Sequence, residues 1–250
     1  MQSFGKLTLV NLKLYVREPV AFFFTVAYAP LMLVLFGAIY GNQPEAIFGG
    51  RGTMDVSVPA YVALIVVTVG LMSVPIATAN AREYGVLRRF RATPLSPAVY
   101  MAAEVLEFYL MALVGVILLV LVGKLAYDVR IDGNLFSLWL GFTLGALSTF
   151  AMGYLLAALM PSARMAQTVG MVLAFPMMFL SGATIPLQVM PESIQHLAQW
   201  IPLTYVVQLM QGLWFGDAWG TLTKPVVVLA AVGVVCALLT ARFFRWDSEG

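Results

Sequence analysis

Six long stretches of this chain contain no lysine, arginine, aspartate or glutamate: Val20 to Tyr40, Ser57 to Ala79, Phe108 to Gly123, Leu135 to Met160, Met165 to Ala183 and Pro225 to Ala241. A hydrocarbon core about 30 Å thick is crossed by roughly 20 residues of helix rising about 1.5 Å each, so each stretch approaches the length of a membrane span. The third is short by this measure, and Glu104 and Glu107 are expected where it enters the membrane, at headgroup level. A soluble domain is a poor alternative. Of the 250 residues 61% are hydrophobic and 10% charged, against about 25% charged in soluble proteins. No compact soluble fold of this size has room inside for so much apolar surface. The reading is an all-α polytopic membrane protein with one transmembrane domain over residues 1–250.

Orientation follows from lysine and arginine, which are retained on the cytoplasmic side during insertion. With both termini inside, the cytoplasmic segments hold Lys6, Lys13, Arg17, Arg82, Arg88, Arg89, Arg91, Arg164, Arg242 and Arg245. The opposite segments hold only Arg51, Lys124, Arg130 and Lys224. The first apolar run begins near Val20 and is too long for a signal-peptide core, so no cleaved leader is expected. A net charge of +2 leaves no electrostatic footprint for nucleic acid. The single cysteine, Cys236, excludes an internal disulfide and reads as a packing residue. Pro30, Pro75 and Pro176 lie inside spans and should kink or open their helices. Gly141, Gly145, Ser148, Thr149 and Gly153 form a run of small residues that suits close packing, within one subunit or between two.

Three segments are not simple spans. On a helix over residues 1–19, Lys6, Lys13 and Arg17 share one sector while Leu9, Leu12 and Val16 share another, the pattern of a helix lying along the inner leaflet. The loop from Ala81 to Tyr100 reads AREYGVLRRFRATPLSPAVY. A short helix over residues 80–91, ended before Pro94, would align Tyr84, Leu87 and Phe90 as a greasy strip among arginines, suited to a protein cleft with acidic edges. Between the last two spans, Pro191 opens a helix and Pro202 breaks it before a second piece from Thr204 to Phe215. Both pieces are too short to span, so residues 184–215 read as a re-entrant hairpin dipping into the outer leaflet, with Trp200 and Tyr205 at interface depth. His196, the lone histidine, sits in this hairpin without ligands at metal spacing.

Absences narrow the function. No stretch matches the phosphate-binding loop G-x-x-x-x-G-K-[ST]; Gly123 and Lys124 are followed by Leu125. The six stretches hold none of the buried charges that ion-coupled carriers use, and no hydrolase or metalloprotease constellation appears. An ion-coupled secondary carrier and a membrane-embedded scaffold or enzyme are the competing classes.

The chain resembles the transmembrane subunit of type-2 ATP-binding-cassette exporters, which include drug, lipid and polysaccharide export permeases. Similarity runs over nearly the whole length and is carried by REYGVLRRFRATPLSP after the second span and SGATIPLQVMPESIQHLAQWIPLTYVVQLMQG between the last two. The resemblance implies a non-catalytic subunit in a bacterial or archaeal cytoplasmic membrane, with ATP and Mg²⁺ bound by two separate ATPase subunits. It places Arg82, Glu83, Tyr84, Gly85, Leu87, Arg88, Arg89 and Phe90 in a coupling helix against the ATPase, and makes the outer hairpin, with Pro186, Pro191, Trp200, Pro202 and Tyr205, an outer gate. Two permease copies, or this one and a paralogue, would line the path chiefly with the second and fifth spans. Phe175, Met177, Met178 and Phe179 then suggest an apolar, adaptable lining for a drug, lipid or glycolipid, with a polysaccharide as the alternative cargo.

Overall fold

The computed structural model describes residues 2–85 and 97–243. Among them, six helices are long and apolar enough to cross a membrane, as the charge-free stretches predict. In chain order the helices are α1 (Gln2–Val16), α2 (Pro19–Tyr40), α3 (Thr53–Glu83), α4 (Pro97–Tyr127) and α5 (Leu135–Leu159). They continue with α6 (Ala163–Leu180), α7 (Glu192–Ala198), α8 (Pro202–Trp214) and α9 (Thr223–Phe243). Helix starts follow local chemistry. Asn134 caps α5 by accepting from the Phe136 N–H at 2.8 Å, and Ser162 caps α6 by accepting from the Met165 N–H at 3.2 Å. Pro202 opens α8 in the first turn, where its missing N–H costs nothing.

The long apolar α3 is the centre of the bundle. Every residue from Met54 to Leu71 is buried, under α2, α4, α5, α6 and α8. Being apolar on all sides, α3 can present any face to a neighbour, and its core contacts run its whole length. At the opposite extreme, α9 packs mainly on α5 and α8 and leaves Val227, Val234, Val235 and Leu238 uncovered.

Two of the three prolines singled out from sequence distort their helices in one shared way. Residues Phe23–Ala27 of α2 and Thr68–Ser73 of α3 form wide π turns, ending shortly before Pro30 and Pro75 respectively. In α3 the Val74 N–H bonds the Val69 carbonyl, and Pro75 has no N–H, so neither reaches the Gly70 carbonyl. That carbonyl presses on Gly153 of α5, where a Cβ would stand 1.9 Å from the oxygen. Thr25, placed before Pro30 as Gly70 is before Pro75, meets Gly115 of α4 in the same way, at 2.5 Å from a built Cβ. Gly170 of α6 likewise faces the Leu71 carbonyl. Glycines on three helices therefore seat the carbonyls that the π turns turn outward. Pro176 lies within α6 without such a turn.

The small residues of α5 are used inside this one chain. Gly141 and Gly145 lie under Leu213 and Val206 of α8, and the Ser148 hydroxyl donates to the Leu229 carbonyl of α9 at 2.9 Å.

Two expectations are corrected. The third span is longer than its charge-free run, because α4 starts at Pro97; Glu104 and Glu107 lie inside the helix and are buried against protein. The helix over residues 80–91 does not begin at 80. Residues 80–83 complete α3, and Tyr84 and Gly85 form a turn in which Gly85 takes φ +66°, the left-handed conformation that stops a helix. Leu87, Arg88, Arg89 and Phe90 lie outside the described residues.

Candidate functional site

At the α5–α6 end of the bundle, consecutive residues of opposite charge at the end of α3 hold both sides of the α5–α6 connection. Arg82 is 7% exposed and donates to the carbonyls of Ala157, at 3.2 Å, and Met160. Those carbonyls belong to the last turn of α5, where acceptors lack helical donors and the dipole favours a cation. Glu83 accepts from the Ala163 N–H at 2.7 Å, at the start of α6, where donors are unpaired and an anion is favoured. Arg82 is thereby enclosed, whereas Glu83 stays exposed. Tyr84, next in sequence, is 74% exposed. Of the residues expected at an ATPase contact, Arg82 is tied into the bundle and Glu83, though bonded to the start of α6, stays exposed, because two adjacent helix ends lie within reach of their side chains.

Beside this clamp lies a cavity of about 490 Å³ between α1, α2, α3, α4 and α6. Its carboxylates are Glu18, Glu104 and Glu107, and among the described residues its lining holds no lysine, arginine or histidine. Glu104, 3% exposed, accepts from the Tyr154 hydroxyl at 3.1 Å and the Thr78 hydroxyl at 3.5 Å. Glu107 faces the Asn11 side chain in the cavity. Over the cavity, α1 turns a polar edge inward: Thr8 and Tyr15 are buried, while Leu9, Val10 and Val16 are exposed and Leu14 lies at the cavity rim. The Tyr15 hydroxyl bridges both π turns, 2.6 Å from Thr25 Oγ1 and 3.2 Å from Ser73 Oγ, and burial pushes its phenol above the usual range. Leu12 packs inward on the core, so the apolar face expected from Leu9, Leu12 and Val16 is divided. Glu104 and Glu107 stand three apart on one helix face, and a helix counted from Pro97 instead of from the first charge-free residue would have enclosed them.

The four residues expected as a path lining do not share a face. Phe175 and Phe179, one turn apart, are exposed, Met178 is buried in the core and Met177 is partly buried. Neighbouring helical residues are about 100° apart, so a run such as this must wrap around the axis. Along Met54 to Leu71 α3 is buried within the chain, while its Thr68, Ser73 and Asn80 open on the cavity.

The segment between α6 and α9 holds two short helices, α7 and α8, with a break at Pro202. Pro191 precedes α7, Ile201 ends the break, and α8 is buried for most of its length against α3 and α5. The corner is locked by the Thr204 hydroxyl on the Ala198 carbonyl and the Tyr205 hydroxyl on the Gln199 carbonyl, both 2.7 Å. Trp200 projects from it at 86% exposed, and Pro186 is partly buried. At the end of α8, Trp214 donates to the Arg130 carbonyl at 2.8 Å, and Arg51 pairs with Asp132 at 3.0 Å while lying 3.9 Å over Phe215. Buried Asp55 gathers this end, accepting from Asn42 Nδ2, Gly52 N and Arg130 N.

The model of the ABC-2 type transporter family matches residues 2–215. The inner membrane transport permease YhhJ of Escherichia coli (strain K12) is 25% identical over 170 residues, 67% of this chain and 46% of that one. The "Probable multidrug ABC transporter permease YbhR" of the same organism is 25% identical over 182 residues, 70% of this chain and 49% of that one. The chain thus spans about half the length of these curated relatives.

Proposed function

Because this chain, a multi-pass membrane protein, belongs to the ABC-2 type transporter family, we propose that it is the non-catalytic permease subunit of an ATP-driven exporter. In this reading ATP and Mg²⁺ are bound by two separate ATPase subunits, and the permease works with a second copy or a paralogue. The membrane is the cytoplasmic membrane of a bacterium or archaeon, with both termini inside. The observation that carries the reading is the Arg82–Glu83 clamp. A subunit that binds no nucleotide must receive work mechanically, and the turn after α3 is the place to receive it. Exposed Tyr84, Gly85 and the following Leu87, Arg88, Arg89 and Phe90 meet the ATPase, while Arg82 and Glu83 pass the displacement to α5 and α6. The hairpin of α7 and α8, with Trp200 at its corner, closes the far end. The uncovered Phe175 and Phe179 favour a hydrophobic or amphipathic cargo, a drug, lipid or glycolipid.

The test is co-purification and transport with the cognate ATPase, identified by its own phosphate-binding loop. Leu87→Asp and Arg88→Glu should release the ATPase and stop transport while leaving membrane insertion intact. Full ATPase retention and normal transport by both variants would overturn the assignment.

A further inference from the structure

The geometry points to the cavity under α1 as a binding site for the positively charged amine of an amphipathic molecule. The other buried acid has a finished structural role: Asp55 takes two backbone N–H groups and the Asn42 amide. Glu104 and Glu107 are different. Among the described residues their neighbouring donors are neutral, two hydroxyls that donate to Glu104 and the Asn11 side chain beside Glu107, and no lysine, arginine or histidine lines the cavity. A carboxylate buried without a cation is costly, and the direct way to offset that cost is a cation brought in from outside. The cavity fits one. At about 490 Å³ it is in the range that holds a small organic molecule, and it is open on one side, with Glu18 at the end of α1 adding a third carboxylate. Its walls are otherwise mainly apolar, with Phe24, Met72, Phe108 and Met171 placed to hold a hydrocarbon body. The ring of Phe108 stacks edge-on with Tyr15, 6.0 Å between centroids, which fixes an aromatic wall near Glu107. An ammonium on an apolar chain has two sources, the ethanolamine headgroup of a lipid or a free amphipathic amine. Met171 of α6 is part of the wall, but the exposed Phe175 and Phe179 of the same helix are not, and the site does not depend on ATPase coupling.

The experiment uses the full chain, without any ATPase, in phosphatidylcholine nanodiscs. Binding of radiolabelled dodecylammonium is measured against dodecanol and against empty nanodiscs. Saturable binding of the amine but not of the alcohol is expected, weakened about tenfold by Glu107→Gln or Glu104→Gln, the effect of one charge-assisted hydrogen bond. Ala77→Phe, which fills the cavity without touching a carboxylate, should abolish it, and carries the test if a glutamine variant does not fold. Displacement of the amine on adding phosphatidylethanolamine identifies the lipid as occupant; no displacement identifies the free amine. Equal binding of amine and alcohol, or unchanged affinity in the variants, overturns the proposal. Because no ATPase is present, this result and the failure or success of ATPase coupling are read separately.

Discussion

Replacing Arg82 with glutamine removes the charge and the fork of donors that reaches two α5 carbonyls. A net hydrogen bond to a charged donor contributes roughly 1.5 kcal/mol or more, so the two together make the α5–α6 connection about 3 kcal/mol easier to open. At about 1.4 kcal/mol per decade this is roughly a hundredfold rise in the opened population. The loss is local, because the core around α3 does not depend on this side chain. The assay is hydrogen–deuterium exchange on the peptide covering Leu156 to Ala166, in nanodiscs, beside circular dichroism for total helix. Exchange there should accelerate by about two orders of magnitude in Arg82→Gln with helix content unchanged. In Arg82→Lys it should be intermediate, since one ammonium cannot reproduce the planar fork. In the assembled transporter, ATP hydrolysis should continue while transport falls, because the ATPase then moves a turn no longer tied to α5 and α6. Unchanged exchange in Arg82→Gln would refute the clamp. Equal loss of hydrolysis and transport would refute its role in passing on motion.

Gly153→Ala puts a Cβ 1.9 Å from the Gly70 oxygen, so α5 must retreat by about 1.5 Å to restore ordinary contact; a loss of about 1–3 kcal/mol in thermal stability is expected. Gly220→Ala, which meets nothing within 4 Å, should stay within about 0.5 kcal/mol. Tyr15→Phe loses the bridge between the π turns and should cost about 1–2 kcal/mol, read by denaturation in detergent, with faster exchange in α1. The Asp128 carboxyl is held below its ordinary range by the hydrogen bond from Lys124 at 3.0 Å and by the charge of Lys124. Its small stabilising contribution is therefore present above the unfolded pKa and disappears as pH falls through the folded one. Lys124→Ala should raise the Asp128 midpoint in a carbon-detected NMR titration, and a midpoint that does not move would contradict the pairing.

The span count, the helix α1 and the break between α7 and α8 were legible because their causes are local. Charge-free runs, prolines at 191 and 202 and the spread of arginines are all properties of short windows. Much of the site was not. Arg82 reads as one more cytoplasmic cation, and nothing near it in sequence announces that the end of α5, some seventy-five residues on, will place two carbonyls against it. Glu104 and Glu107 look like residues at a membrane edge until α1, α3 and α6 close over them. Met178 and Phe179 are neighbours of the same class in the chain, yet one is core and the other surface.

What the residues determine by themselves is that this chain enters lipid as helices, since its long continuous apolar runs suit segments that satisfy their own N–H and C=O groups internally, whereas a closed barrel is built from short alternating strands. What the tertiary structure decides is which helix becomes the centre and which polar groups are enclosed. In a helix apolar on all sides no face is marked in advance, so those choices fall to shape: glycines opposite outward-turned carbonyls, and a charged pair that finds two helix ends to hold.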